Sequence, residues 1–173
     1  MVNDAIVLAG GLGTRLKDTL PGLPKVMAPV SKKPFIDYLL DFLVNSGIKH
    51  AILSTGYMSD MIKDHVGDKY GRLRISHAVE KQPLGTGGAL AYSSRMVNGP
   101  HFFAMNGDSL FKTSLAKMHE QHLLTGAAMT IALKEVNDTG RYGRVSVNEN
   151  KQIVSFEEKS EKRGKGLINA GIY

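Results

Sequence analysis

The sequence predicts an α/β fold: an open, mostly parallel sheet with helices on both faces, and a β-hairpin excursion near the C-terminal end. Three observations predict it. The run Ala5 to Ala9 is continuously apolar, as a strand buried on both faces must be. Short apolar strands then alternate with helical patterns, which implies parallel strands joined by helical crossovers. Finally, three glycines in four positions, Gly10-Gly11-Leu12-Gly13, follow the first strand directly. A strand–glycine loop–helix unit of this kind brings a ligand to the carboxyl end of the sheet.

The elements follow in order. Phe35, Ile36, Leu39, Leu40 and Leu43 recur at helical spacing, and Gly47 stops that helix. Ala51-Ile52-Leu53 is a second strand. Ser59 is placed to cap a helix carrying Met61, Ile62 and Val66. Leu73 to Val79 is a third strand, and Leu84 to Met96 opens with glycines and continues as a helix. His101 to Met105 is a fourth strand, running into Asn106-Gly107-Asp108. Ser114 caps a helix reaching about Leu124, and Ala127 to Val136 reads as a longer strand. The rhythm then changes: Gly143 to Val147, the turn Asn148-Glu149-Asn150, and Ile153 to Glu157 form a hairpin pattern. A last strand includes Leu167 to Tyr173. Because Asn169 to Tyr173 reads as the middle of an element, the 173 residues are expected to be a single domain cut short at its C-terminus.

Composition bounds the function. With no cysteine, disulfides, thiolate zinc sites and cysteine nucleophiles are excluded. No basic leader precedes Ala5 to Ala9, and no stretch has the length of a membrane span, so a cytoplasmic protein without a membrane partner is expected. The 22 basic and 16 acidic residues leave a net charge of +6, which favours anionic partners. The basic residues are dispersed apart from a cluster at Lys159 to Lys165, so nucleotides and phosphosugars are favoured over nucleic acid.

The glycine loop offers free backbone N–H groups as an anion cradle. It departs from the dinucleotide fingerprint, because Leu16 stands where the third glycine belongs, and from the phosphate-binding G-x-x-x-x-G-K-[ST] loop. Arg15 and Lys25 bring two cations to the same cradle.

These residues, Leu8-Ala9-Gly10-Gly11-Leu12-Gly13-Thr14-Arg15-Leu16 with Leu23-Pro24-Lys25 and Lys33-Pro34-Phe35, resemble the signature of sugar-1-phosphate nucleotidyltransferases. Pro83-Leu84-Gly85-Thr86-Gly87-Gly88-Ala89 resembles that family's base-contacting segment, and Asn106-Gly107-Asp108 its metal segment. Tyr142-Gly143-Arg144-Val145, Phe156-Glu157-Glu158-Lys159 and Asn169-Ala170-Gly171 resemble its sugar segments. The likeness spans essentially the whole chain and implies a Rossmann-like fold of the nucleotide-diphospho-sugar transferase type. Within the family, Pro24-Lys25-Val26-Met27-Ala28-Pro29-Val30 is most similar to D-glycero-α-D-manno-heptose 1-phosphate guanylyltransferases.

The resemblance implies transfer of a nucleoside monophosphate from GTP or another NTP to a sugar 1-phosphate, with Mg²⁺ as cofactor. Arg15 would hold the β- and γ-phosphates, Lys25 would stand between the α-phosphate and the incoming sugar phosphate, and Asp108 would bind the metal. Leu8, Ala9, Gly10, Gly11, Gly13 and Thr14 would cradle the nucleotide, and Gly85, Thr86 and Glu80 would border the base. Gly143, Glu158, Lys159 and Asn169 would meet the sugar phosphate. Relatives carry a second metal-binding aspartate beyond the point where this sequence stops. Uridylyl, thymidylyl or cytidylyl transfer stays open, as does a non-catalytic nucleotide-sugar-binding role, and a homodimer is an open assembly. His119-Glu120-Gln121-His122 lacks the spacing of a zinc protease motif and reads as an exposed helix face; His50, His65, His77 and His101 stand alone in the sequence.

Overall fold

A computed structural model describes residues 2–11, 21–157 and 164–173. Its centre is a five-stranded sheet in the order β5-β6-β4-β1-β7. The strands are β1 (Asp4–Leu8), β4 (His50–Thr55), β6 (Leu73–Val79), β7 (Phe103–Asn106) and the short edge strand β5 (Lys69–Tyr70). All neighbours run parallel except β5, which is antiparallel to β6. A small hairpin pairs β2 (Pro29–Val30) with β3 (Lys33–Pro34).

The apolar strands are buried on both faces, as their continuous hydrophobic runs require. Alternate residues of β1 separate the two sides. Ala5 and Val7 face a core built with Ile36, Leu39, Leu40 and Leu43 of α1 (Phe35–Asn45) and Ile62 and Val66 of α2 (Ser59–Val66). Ile6 faces the other way, against Ile52, Ala78 and Leu90 of α3 (Gly85–Ser93). Each fully buried leucine or isoleucine contributes about 1.5–3 kcal/mol, so α1 alone commits four strong anchors to one face of the sheet.

The helix starts show where local chemistry acted. Ser114 Oγ accepts a hydrogen bond from the Lys117 backbone N–H at 3.3 Å, so the expected cap of α4 (Leu115–Thr125) is present. Ser59 does not cap α2: its own N–H already donates to Gly56 O at 3.3 Å, placing it inside the first turn, and Met58 holds the cap position at φ +53°.

Beyond β7 the chain builds a second, antiparallel sheet in the order β10-β9-β11-β8. The expected hairpin is β9 (Val145–Val147) against β10 (Ile153–Phe156). The expected long strand over 127–136 shrinks to β8 (Leu133–Val136). The preceding residues Ala128, Met129 and Thr130 wall a cavity instead, with Thr130 Oγ1 2.9 Å from His122 Nδ1. The last strand ends earlier than expected, at Asn169 in β11 (Gly166–Asn169). After the turn at Gly171, Tyr173 exchanges backbone hydrogen bonds with Ala104, so the chain returns antiparallel along β7 and couples the two sheets.

Candidate active site

Strand β1 is followed on one side by β4 and β6 and on the other by β7. The strand order therefore reverses between β1 and β7, and the crevice beyond their carboxyl ends is the expected ligand position in an open α/β sheet. A cavity of about 400 Å³ lies there, lined by Leu8, Gly10, Gly11, Glu80, Gly85, Thr86 and Asp108. Seven of the residues singled out from the sequence thus converge on one space.

Gly107 sets the geometry of its floor. Its N–H donates to Leu8 O at 2.9 Å, and a Cβ at this position would stand 2.6 Å from the same carbonyl and 3.2 Å from Ala9 Cα. Only glycine lets the two loops approach this closely. Val26 is buried beside it and lies in the 3₁₀ turn Lys25–Met27 that follows Pro24. Burying Val26 swings the preceding residue over the loop, and Lys25 Nζ lies 2.5 Å from Asp108 Oδ2. Both side chains are about two-fifths exposed, at 39% and 41%. Desolvation pushes the Asp108 carboxyl up, but the Lys25 ammonium and a hydrogen bond from the Ser109 hydroxyl outweigh it and hold the group below the ordinary carboxylate range. Asp108 is therefore a carboxylate at neutral pH, already facing a cation.

On the opposite rim, Glu80 is held in place rather than free in solvent. Its Oε1 accepts from the Ser54 hydroxyl at 3.3 Å, and its Oε2 accepts from the Leu84 N–H at 3.1 Å. Each oxygen retains acceptor capacity toward the cavity. Ala9 is buried and ties its N–H to Ser54 O at 2.7 Å, so it fixes the loop without lining the cavity.

The remaining expected residues separate into two groups. Asn169 ends β11 of the antiparallel sheet and Gly143 lies in the turn before β9, and neither lines this cavity. Gly143 has φ +80°, which by itself accounts for glycine there. Asn169 donates to the Tyr173 hydroxyl at 2.9 Å and accepts from Gly171 N–H at 2.8 Å. Its segment nonetheless reaches the cavity wall, because Asn106 N–H donates to Gly171 O at 2.9 Å. Gly13, Thr14, Arg15, Glu158 and Lys159 lie outside the described residues.

Pro83 and Ala89, the two ends of the segment Pro83 to Ala89, also line the cavity; sequence reasoning missed Ser54 as a lining residue and Ser109 as a partner of Asp108. Ser54 carried a weak signal, as a polar residue closing an otherwise apolar strand. His119 and His122 do not form the expected exposed face: both are half-buried and turn toward His101. The other histidines that stood alone are also engaged, His50 with Asp4 at 2.7 Å and His65 with Asp37 at 2.8 Å. His77 Nε2–H donates to Gly67 O at 2.9 Å.

Comparison with known proteins agrees with this architecture. The family model described as nucleotidyl transferase matches residues 4–173. D-glycero-alpha-D-manno-heptose 1-phosphate guanylyltransferase of Campylobacter jejuni is 42% identical over 169 residues, covering 98% of this chain and 74% of that protein. The protein of the same name from Aneurinibacillus thermoaerophilus is 41% identical over 98% of this chain and 73% of its own length. The crystal structure of HddC from Yersinia pseudotuberculosis complexed with GMP-PN superposes with a TM-score of 0.85 at 34% identity, covering 99% of this chain and 75% of that one. The cleft at the strand-order reversal, the ordered motifs around it and these matches have one reading: the chain belongs to the nucleotidyl transferase family.

Proposed function

We propose that this protein transfers GMP from GTP to D-glycero-α-D-manno-heptose 1-phosphate, producing GDP-heptose and pyrophosphate. The observation that carries the reading is the convergence of Lys25 and Asp108 at the β1/β7 crevice, in a chain 41–42% identical to two proteins named as heptose 1-phosphate guanylyltransferases. The reaction belongs to the cytoplasm in this reading.

The sugar phosphate oxygen attacks the α-phosphorus, a new P–O bond forms in line, and the bond to the bridging oxygen breaks to release pyrophosphate. The nucleophile is already an anion, so the site needs no general base. Its work is positioning and charge neutralisation. Lys25 serves the α-phosphate and the incoming phosphate, and Arg15 the β- and γ-phosphates. The backbone at Leu8, Ala9, Gly10, Gly11, Gly13 and Thr14 cradles the triphosphate. Gly85 and Thr86 border the base, and Glu80 offers an acceptor on that rim. Gly143, Glu158, Lys159 and Asn169 meet the sugar phosphate.

Among the described residues no three potential metal ligands are grouped. Asp108 alone still suits Mg²⁺, which keeps several waters and is commonly bound through one or two carboxylates plus substrate phosphates. Bound there, it would neutralise charge developing on the triphosphate. Asp108, which pairs with Lys25 in the free protein, would hold the ion, and Lys25 would then be free to serve phosphate.

A panel of GTP, UTP, dTTP and CTP against heptose and mannose 1-phosphates, read by pyrophosphate release with and without Mg²⁺, tests the proposal. Turnover is expected with GTP and the heptose phosphate and only with the metal. Robust UTP use without GTP use overturns the guanylyl reading, and no turnover with any pair overturns the enzymatic one.

A further inference from the structure

A second cluster of chemistry lies at the other end of the sheet, where the nucleotidyl transfer chemistry has no use for it. His101 stands just before β7, whose far end carries Asp108. On α4, Leu115 is buried and Met118 packs against the core. This docking turns the side bearing His119 and His122, three residues apart, toward His101. His119 Nε2 is 3.3 Å from His101 Nδ1. The His122 ring stands edge-on to His101 with centroids 5.1 Å apart, and its Nδ1 is tied to Thr130 Oγ1 at 2.9 Å. Phe103, Met118 and the three histidines wall a cavity of about 140 Å³, and His101 and His119 also border a wider one of about 530 Å³.

We propose that His101 Nδ1 and His119 Nε2 form a binding site for a transition-metal dication of the zinc class. The distance is the argument. With zinc–imidazole bonds of about 2.0–2.1 Å, two ligands at tetrahedral corners sit about 3.3–3.4 Å apart, which the pair already matches. In the free protein the two nitrogens share one proton, one ring donating and the other accepting. The metal takes the facing lone pair of each ring, and the shared proton moves to the outer nitrogen of the ring that carried it, so both imidazoles stay neutral and no net proton is released. The wider cavity gives the ion an entry path, and waters complete its coordination, since no third ligand is grouped with the pair among the described residues. Imidazole selects zinc, nickel and copper over magnesium, so this site and Asp108 take different ions.

The test is a calorimetric titration of the chelator-treated whole protein with Zn²⁺ in excess Mg²⁺, which keeps Asp108 from contributing. One equivalent of Zn²⁺ is expected, with a rise in melting temperature. Both effects should disappear in His119→Gln and in His101→Gln, while Mg²⁺-supported turnover persists. Binding that survives both substitutions overturns the site, as does the absence of stoichiometric binding in the unaltered protein. Should either variant fail to fold, Co²⁺ substitution in the unaltered chain decides: a tetrahedral nitrogen-ligand spectrum is expected, and a spectrum of the hydrated ion overturns the proposal.

Discussion

Two residues decide most of the site, and they act by different means. Lys25 contributes charge. Its pairing with Asp108 is solvent-exposed, so it stabilises the fold by about 0.2–1 kcal/mol at most. Removing it should therefore separate activity from stability. Lys25→Ala is expected to lower turnover on the order of 10²–10³-fold, the range found when a preorganised electrostatic partner is deleted. Its melting temperature should barely change, and Mg²⁺ titration without nucleotide should show binding at least as tight, because Asp108 loses its competing cation. Equal losses in turnover and melting temperature would instead mark Lys25 as structural. Gly107 contributes the absence of a side chain. An alanine Cβ would meet Leu8 O at 2.6 Å, so Gly107→Ala should cost about 1–3 kcal/mol in urea unfolding and distort the Asp108 loop. Unchanged stability would show that the β1 and β7 loops can separate freely.

At the scale of elements, α1 and the parallel strands were readable because burial imposes a simple pattern. Ile36, Leu39, Leu40 and Leu43 repeat with the period of one helix face, and all four are fully buried. Leu40→Ala should cost about 2–5 kcal/mol by urea unfolding, with turnover per folded molecule preserved; a smaller cost would mean that the cavity collapses readily. Elements governed by longer-range contacts were less readable. Residues 127–132 have a strand-like composition, but only Ala132 pairs, with Ile172 and Ala170, while Thr130 turns to His122. Ser59 had the chemistry of a cap and lost the position because its N–H was already committed to Gly56.

For the whole molecule, the fold joins a parallel sheet that bears the β1/β7 crevice to an antiparallel sheet built from the C-terminal strands. The return of Tyr173 along Ala104 is the hinge between them. Stability at alkaline pH depends on a contact away from the cleft. Burial first, then its hydrogen bond to Asp41, raises the Tyr70 hydroxyl from 10.0 to about 12. A group whose folded pKa is raised stabilises fully below its unfolded value and loses that contribution as pH rises through the folded one. Stability should therefore decline between about pH 10 and 12 through this group, and Tyr70→Phe should flatten that decline in denaturation measured across the range. An unchanged slope would exclude Tyr70 as its source.

The sequence by itself determined the α/β class, the buried strands, the helix faces and the order of motifs around the glycine loop. These features follow from local rules: the periodicity of burial, the punctuation of glycine and proline, and residue types that suit phosphate. Only the tertiary structure decided that Lys25 meets Asp108 across 83 positions, that Gly107 must lie against Leu8, and that His101 faces His119. Such contacts arise when the packing of whole elements brings distant residues together, and no spacing along the chain encodes that distance.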